Sequence, residues 1–175
     1  MHTSPAASSS AAGAGADDDW RKRIVTSDAE AIALAGSFKV VAVLGIKTER
    51  HSDQPAFYVA QALQSAGVEV IPVPVYYPDV TAILGRPVVR SVAAAAAAAG
   101  GPGRVDCVDV FRRPQDVEGH VQDILSARPR CVWLQSGIRC PPAEEAWARA
   151  GITVVADKCL MVLHRAAQVG EGARL

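Results

Sequence analysis

The segment after the first long apolar run of the chain carries residue types that suit the binding of an anion. Gly45 ends this run and permits a tight turn with close approach of the backbone. A helix predicted to begin at Pro55 would direct the positive end of its dipole at the same place. The glycine-rich dinucleotide fingerprint and the Walker lysine motif are both missing, so the segment predicts either a phosphate or pyrophosphate cradle or an ordinary polar surface loop. Its cationic and hydroxyl side chains are Lys47, Thr48, Arg50 and Ser52.

Polar residues also stand at the ends of two later apolar runs. Arg112 and Arg113 follow Phe111. Two arginines at a strand end could bind a phosphate in bidentate fashion, or they could form a solvated pair against a neighbouring helix. Gln135 and Gly137 end the next run. Gln135 can donate and accept hydrogen bonds and Gly137 permits close approach, although an ordinary strand-to-helix turn would use the same residues.

The cysteines and histidines indicate no metal centre and no nucleophilic triad. Cys159 follows the last apolar run and would be reactive if Lys158 and a helix N-terminus lowered its pKa, but simple packing is the favoured interpretation. No Cys-x-x-Cys pair and no adjacent histidine cluster exist, so the spacing of a metal site is absent. A chain of this size with a real core has little need of disulfides, which points to a reducing compartment. The cysteines are Cys107, Cys131, Cys140 and Cys159.

The elements that must position these residues alternate between strand and helix patterns. Ser27 and Glu30 form a capping box that predicts a short helix. The alternation predicts an α/β fold, a Rossmann-like, doubly wound, mostly parallel sheet of five or six strands with helices on both faces. In such folds ligands bind outside the carboxyl ends of the strands. Continuous β-branched runs predict strands at 39–44, 68–73, 105–111, 131–134 and 152–156.

Length and charge limit the classes of function. The chain has 175 residues, half of them hydrophobic, which suffices for one domain with a sizeable core. Lysine plus arginine equals aspartate plus glutamate at 18 each, so a dedicated nucleic-acid binder is not expected. No apolar run approaches the roughly 18 residues that suggest a membrane span.

Two segments rich in small residues stand apart from the alternation. Residues 1–19 predict a disordered tail of alanine, serine and glycine, followed by a single domain over residues 20–175. The alanine run and the glycines near 93–103 predict a surface insertion in this domain. The tail fits neither a secretory signal nor a transit peptide, so we expect a cytoplasmic protein. The basic residues at 21–23 leave organelle import open.

Five short elements, taken in order, resemble a known family. They are similar to those of the small stand-alone CoA-binding proteins (YccU-like) and of the CoA-binding domain of the succinyl-CoA synthetase alpha subunit. The resemblance covers roughly residues 28–167, and Val-Phe-Arg-Arg-Pro together with Trp-Leu-Gln-x-Gly-Ile is its most specific part. The elements are Val41 to Gly45, Val70 to Val73, Val105 to Pro114, Val132 to Ile138, and Val155 to Cys159.

The resemblance implies a domain that binds coenzyme A, or a short acyl-CoA, through its pyrophosphate and 3′-phosphate along the strand ends. It stops at the binding domain, so we expect binding without catalysis. Two positions depart from the family pattern, because Lys47 stands for a usual serine and Pro74 and Val75 stand for a usual Asn-Pro pair. The residues expected to contact the coenzyme are Gly45, Ile46, Lys47, Thr48, Arg50, Ser52, Val73, Pro74, Phe111, Arg112, Arg113, Gln135 and Gly137.

The same positions favour coenzyme A over NAD. Binding of NAD typically uses an acidic residue at the end of the second strand to hold the ribose hydroxyls. This chain has Pro74 to Tyr77 there. Binding of the strongly anionic coenzyme A requires local positive charge, which Lys47 and Arg112 supply at neighbouring strand ends. Two alternatives remain: an NAD(P)-type nucleotide-binding or redox protein that uses Cys159, and an interaction module without a ligand. The sequence identifies no protein partner.

Overall fold

The computed structural model describes residues 19–172, and a six-stranded parallel sheet forms its centre. A separate two-stranded antiparallel hairpin lies in the connection after the third strand. In chain order the strands are β1 (Ile24–Val25), β2 (Val40–Leu44), β3 (Glu69–Val73), β4 (Ala82–Ile83), β5 (Arg86–Pro87), β6 (Cys107–Val110), β7 (Cys131–Leu134) and β8 (Thr153–Val155).

Helices cover both faces of the sheet, which confirms the predicted Rossmann-like α/β fold. α1, α2 and α6 pack on one face, and α3, α4 and α5 pack on the other. Short 3-10 helices occupy Asp19–Arg23, Glu49–His51 and Pro114–His120. The α-helices are α1 (Asp28–Ser37), α2 (Pro55–Ser65), α3 (Val92–Ala98), α4 (Val121–Ala127), α5 (Pro141–Arg149) and α6 (Leu160–Gly172).

β2 illustrates why the strands are apolar without interruption. Val41 and Val43 pack into the core under α2 and α6, while Ala42 and Leu44 pack into the core under α3 and α4. Side chains of a strand alternate between faces, so a strand covered on both sides is apolar at every position. Each such side chain, once fully buried, contributes on the order of 1.5–3 kcal/mol.

Ser27 is confirmed as the N-cap residue of α1. The Ser27 hydroxyl accepts a hydrogen bond from the Glu30 backbone N–H at 3.4 Å. This bond occupies an N–H group that would otherwise lack a partner in the first turn of the helix. α1 then ends before Phe38, whose ring packs edge-on against Trp133.

The order of the strands places a crevice at one point of the sheet. The order is β1-β8-β7-β6-β2-β3, so the chain runs from β2 to β3 on one side and then crosses back past β2 to β6 on its other side. The carboxyl ends of β2 and β6 therefore bound the switch point, where ligands of doubly wound folds bind. Gly45 lies here with φ +87°, and a Cβ atom on it would stand 2.2 Å from the carbonyl oxygen of Phe111. Only glycine allows the two strand ends to come this close.

The segment near 93–103 differs from the surface insertion that the sequence suggested. α3 occupies most of it, and Val92, Ala95 and Ala96 are buried between the sheet and α4. Small side chains let this helix lie close to its neighbours, so an alanine run without bulky apolar residues still builds core. The glycines at 100, 101 and 103 have positive φ and form the turn after the helix.

The predicted tail lies almost wholly outside the described residues. Residues 1–18 carry nearly all of it, whereas Asp19 belongs to a 3-10 helix. β1 and the β4–β5 hairpin were not predicted, because two-residue strands leave no periodic pattern. Within residues 19–172, no helix combines the length and the apolar character needed to cross a lipid bilayer.

Candidate functional site

Two predicted cations meet over one exposed aromatic ring at the carboxyl edge of the sheet. The ammonium nitrogen of Lys47 lies 5.1 Å from the centre of the Tyr76 ring, and the guanidinium carbon of Arg112 lies 5.6 Å from it. Tyr76 is 52% exposed although it is a large aromatic side chain. We call Lys47, Tyr76 and Arg112 the cationic cluster. It joins the loops after β2, β3 and β6, so its members come from three separate parts of the sequence.

Arg112 is held in place by a histidine and an aspartate. Its Nε–H donates to Nε2 of His120 at 3.1 Å, and its terminal nitrogen lies 3.5 Å from the Asp116 carboxylate. Burial and the nearby Arg112 cation lower the pKa of His120, which favours the neutral ring that can accept this bond. Arg112 also hydrogen-bonds Tyr76 and thereby lowers the pKa of the phenol. The guanidinium group is thus oriented before any ligand arrives.

Arg113 lies in a different environment from its neighbour. Its side chain is 68% exposed, against 12% for Arg112. Its Nε–H donates to the Asp116 carboxylate at 2.7 Å, and this contact raises the pKa of Arg113 and lowers that of Asp116. The sequence treated the two arginines as a pair, but the structure holds only Arg112 inside the cationic cluster.

The loop after β2 divides its predicted residues between packing and solvent. Ile46 and Thr48 are buried, and the Thr48 hydroxyl lies 3.2 Å from Nδ1 of His51. Arg50 and Ser52 are exposed. The backbone N–H of Gly45 donates to the carbonyl of Val73 at 2.9 Å, so it is already used within the sheet. Lys47 is the member of this loop that the structure brings to the cationic cluster.

Two clefts lie on either side of the contact between Tyr76 and Arg112. The larger encloses about 510 Å³ between the N-terminal ends of α2 and α6, and the smaller encloses about 300 Å³ beside α4. Arg112 and Arg113 line the larger cleft, and Tyr76 lines the smaller one. The larger cleft is also lined by Pro55, Tyr58, Phe111, Gln135, Ile138 and Cys159. The smaller is also lined by Val73, Pro74, Arg90, Ser91, His120 and Asp123.

A buried acid and amide pair lies at the inner wall of the larger cleft. Gln135 is 4% exposed, and its side-chain Nε2 donates to Oδ1 of Asp109 at 2.7 Å. Asp109 is fully buried in β6, and this burial raises the pKa of its carboxyl to about 7. The bond from Gln135 opposes that shift but does not cancel it.

The turn that carries Gly137 is fixed to the loop after β8. The Gly137 N–H donates to Oδ1 of Asp157 at 2.7 Å, and the indole N–H of Trp133 donates to the Lys158 carbonyl at 2.8 Å. Asp157 has φ +58°, an uncommon conformation for a residue other than glycine. Cys159 follows and lies half-buried at the wall of the larger cleft. We call Asp109, Gln135, Gly137 and Asp157 the amide cluster.

Several residues of the site escaped the sequence analysis as site residues. Tyr76 could have been found, since it directly follows a predicted strand end. His120 and Asp109 carry no local signal, because their importance comes from contacts with Arg112 and Gln135. Within residues 19–172, no three His, Cys, Asp or Glu side chains lie close enough to hold a metal ion.

Comparison with known proteins gives a consistent family. Residues 39–165 match the sequence profile of the CoA binding domain. The uncharacterized Bacillus subtilis (strain 168) protein YneT is 30% identical over 138 residues, which cover 79% of this chain and 94% of that protein. Among solved structures, cell-free ID.343 from Thermus thermophilus has a TM-score of 0.68 and 38% identity, covering 81% of this chain and 99% of that one. A hypothetical protein from Pyrococcus horikoshii OT3 has a TM-score of 0.67 and 25% identity, with coverages of 81% and 92%.

Proposed function

This chain belongs to the CoA binding domain family, and we propose that it binds coenzyme A, or a short acyl-CoA, at the carboxyl edge of the sheet without catalysis of its own. The observation that carries the proposal is the cationic cluster. Lys47 and Arg112 converge at the strand-order switch point, beside a cleft of about 510 Å³. An elongated ligand with phosphates at one end and an extended arm at the other fits this arrangement.

We assign the phosphates of the coenzyme to the cationic cluster. Arg112 offers a planar guanidinium with a fixed orientation, which suits bidentate binding of phosphate oxygens. Lys47 offers a compact charge that can move off the Tyr76 ring. Gly45 contributes space rather than a hydrogen bond, because its N–H is bonded to Val73. The glycine allows the loop that carries Lys47 to pass close to Phe111 and Arg112.

We assign the pantetheine arm to the larger cleft and the adenine to the smaller one. Phe111, Ile138 and Pro55 give the larger cleft mostly apolar walls, with Gln135 as a polar group within them. Such a surface matches a flexible chain with two amide groups. Tyr76 and Pro74 line the smaller cleft and offer flat apolar surface to a base.

The residues that follow β3 do not favour the binding of NAD. Pro74, Val75, Tyr76 and Tyr77 follow the strand, and none of them can accept hydrogen bonds from ribose hydroxyls as a carboxylate would. Asp79 is the first acid after the strand, and it is exposed beyond the smaller cleft. We therefore place coenzyme A ahead of a nicotinamide nucleotide.

A second candidate function uses the thiol of Cys159, because this half-buried cysteine lies at the wall of the larger cleft. The thiolate would attack the disulfide form of coenzyme A. A sulfur–sulfur bond would form between Cys159 and one coenzyme, and the other coenzyme would leave as a thiolate. Intact-protein mass spectrometry after incubation with coenzyme A disulfide tests this, with Cys159→Ser as the control.

Calorimetric titration with coenzyme A, acetyl-CoA and NAD, in the presence of reductant, tests the proposed function. We expect dissociation constants of about 1 μM for the two coenzyme A forms, corresponding to about 8 kcal/mol, and no heat with NAD. NAD binding without a response to coenzyme A would overturn the proposal. No binding of any of the three would leave the interaction module as the remaining interpretation.

The cysteines also bear on where this function operates. Cys107, Cys131, Cys140 and Cys159 are all free thiols in the described structure. We propose a reducing compartment, the cytoplasm, since disulfides are rare there.

A further inference from the structure

The Asp109 carboxyl group lies where burial of a carboxyl reduces the stability of the fold. It is fully buried in the central strand β6, and its Oδ2 atom has no hydrogen-bond partner within residues 19–172. Its neighbours in register are Val43 on β2 and Trp133 on β7, both apolar. A buried carboxyl with an unpartnered oxygen destabilises the fold relative to an apolar residue of similar size. The fold alone therefore gives no reason for an acid here.

Among residues 19–172, the side-chain hydrogen bond of this carboxyl leads to the larger cleft. Oδ1 of Asp109 accepts a hydrogen bond from Nε2 of Gln135 at 2.7 Å, and Gln135 lines the cleft. A carboxylate can only accept hydrogen bonds, and a carboxyl protonated on Oδ2 still accepts through Oδ1. In the ionised state, and in the state protonated on Oδ2, the Gln135 amide turns its NH2 group toward Asp109, which is the arrangement in the structure. Its carbonyl oxygen, Oε1, then lies on the opposite side of the amide.

The Gln135 carbonyl oxygen is thus a fixed acceptor at the wall of the cleft. No described hydrogen bond within residues 19–172 engages Oε1 of Gln135. Without Asp109 the amide could rotate by half a turn and present donors instead. An acceptor held in one orientation selects for ligands that bring an N–H group to it.

We propose that Asp109 is a positioning residue, which holds the Gln135 amide so that its carbonyl oxygen accepts a hydrogen bond from an amide N–H of the pantetheine arm. This inference rests on the proposed binding of coenzyme A. The positioning role explains why an acid occupies an apolar strand. Asp109 lowers the stability of the fold, but it gives the cleft a defined hydrogen-bond pattern for the ligand.

Two substitutions at position 109 separate positioning from a structural role. Asp109→Leu has a similar shape but no acceptor, so Gln135 loses its fixed orientation. We expect coenzyme A affinity to fall about tenfold, the loss of one well-formed hydrogen bond. The melting temperature should change little at about pH 8, because removal of the buried carboxyl is offset by the Gln135 NH2 group that loses its partner. Asp109→Asn keeps an acceptor oxygen and should retain affinity within about threefold.

A truncated ligand shows where in the cleft the effect arises. Adenosine 3′,5′-bisphosphate has phosphates and adenine but no pantetheine arm. We expect Asp109→Leu to leave its affinity unchanged. In a Gln135→Ala background, Asp109→Leu should have no further effect on coenzyme A affinity, because the group through which it acts is gone.

The outcomes distinguish this inference from the function on which it rests. Wild-type protein that binds neither coenzyme A nor the bisphosphate would overturn both. Coenzyme A binding that Asp109→Leu leaves unchanged would overturn the positioning role alone. Equal losses for coenzyme A and the bisphosphate would also overturn it, since they would indicate a general distortion. If Asp109→Leu does not fold, Gln135→Leu serves in its place: a tenfold loss for coenzyme A alone supports the inference, and no loss overturns it.

Discussion

The cationic cluster and the amide cluster occupy the same edge of one sheet but are built in opposite ways. Tyr76 is 52% exposed, and Lys47 and Arg112 approach it from separate loops. Gln135 and Asp109 are buried, and a 2.7 Å hydrogen bond joins them within adjacent strands. One cluster can adjust to a charged group in water, whereas the other presents a fixed pattern to a group that has left water.

The contrast between the two clusters indicates how one site can combine two contributions to binding. Exposed charges attract an anion from a distance and depend strongly on salt. A buried amide contributes little attraction, but a mismatched ligand leaves its polar atoms without partners. We therefore expect substitutions in the cationic cluster to change salt dependence, and substitutions in the amide cluster to change ligand discrimination.

Gly45→Ala should have the largest effect, because Gly45 lies at the switch point that both clusters border. The new Cβ would stand 2.2 Å from the Phe111 carbonyl oxygen, so the ends of β2 and β6 must separate. We expect the free energy of unfolding to fall by about 3 kcal/mol or more. Coenzyme A affinity should fall at least about a hundredfold, measured by calorimetry.

Gly67→Ala is the matched control for this change. Gly67 also has positive φ, at +89°, but no atom lies within 4 Å of the place that its Cβ would take. Its free energy of unfolding should fall by only about 1 kcal/mol, the cost of the backbone conformation, and its coenzyme A affinity should not change. Equal losses for the two variants in urea unfolding would show that the contact with Phe111 does not matter.

Asp109→Asn should produce the next largest effect, on the pH dependence of stability. The carboxyl pKa is raised to about 7 from an ordinary value of 3.8, so the folded state keeps a proton that the unfolded state releases. The contribution of this carboxyl to the free energy of unfolding is fully present below about pH 4. It decreases as the pH rises and is lost once the pH passes about 7. Between about pH 5 and pH 7 the free energy of unfolding falls by about 2 kcal/mol through this group, and the variant should not show this fall.

Asp106→Asn gives a control of opposite sign. The hydrogen bonds from Lys39, Val40 and Arg130 outweigh partial burial and lower the pKa of Asp106. Its stabilising contribution is therefore present above the ordinary pKa and is lost as the pH falls. Urea unfolding at several pH values should show the two variants diverging in opposite directions. Parallel curves would contradict the buried, raised pKa of Asp109.

The sequence predicted the fold well because the fold depends on local patterns. The β2 run and the N-cap at Ser27 are recognisable from a few consecutive residues, and the structure confirms both. The partial burial of α3 was not predicted, because alanine is neither clearly apolar nor clearly polar. Its burial follows from packing against α4, which no local pattern encodes.

The site was predicted only as far as strand ends could be located. Lys47 and Arg112 stand directly after strands, so the topology alone brings them to one edge. Tyr76 and Asp109 matter through partners far along the chain, and a single sequence does not show such pairs. Arg113 illustrates the converse, since its position matches that of Arg112 while Asp116 holds its side chain in solvent.

Arg112→Ala should weaken coenzyme A binding by about tenfold at about 50 mM salt, through loss of an oriented guanidinium. The dependence of affinity on salt should become shallower, because one screened charge contact is lost. Arg113→Ala is the comparison variant, with the same change of charge at a residue that also lines the larger cleft but lies outside the cationic cluster, paired with Asp116. We expect a loss of about threefold or less for the control. A larger loss for Arg113→Ala than for Arg112→Ala would reverse the assignment.

Lys47→Ser should have the smallest effect on coenzyme A affinity. It tests whether Lys47 contacts a phosphate directly or contributes only long-range electrostatic attraction. The ammonium group is well hydrated, so its contact with a phosphate adds only about threefold in affinity at about 50 mM salt, and nothing measurable at about 1 M. Arg50→Ser removes the same charge from the same loop, at an exposed position in the 3-10 helix. If Lys47 binds phosphate directly, calorimetry at low salt should separate the two variants. Equal losses would mean that this loop only supplies positive potential, and the contact role would then fall to Arg112.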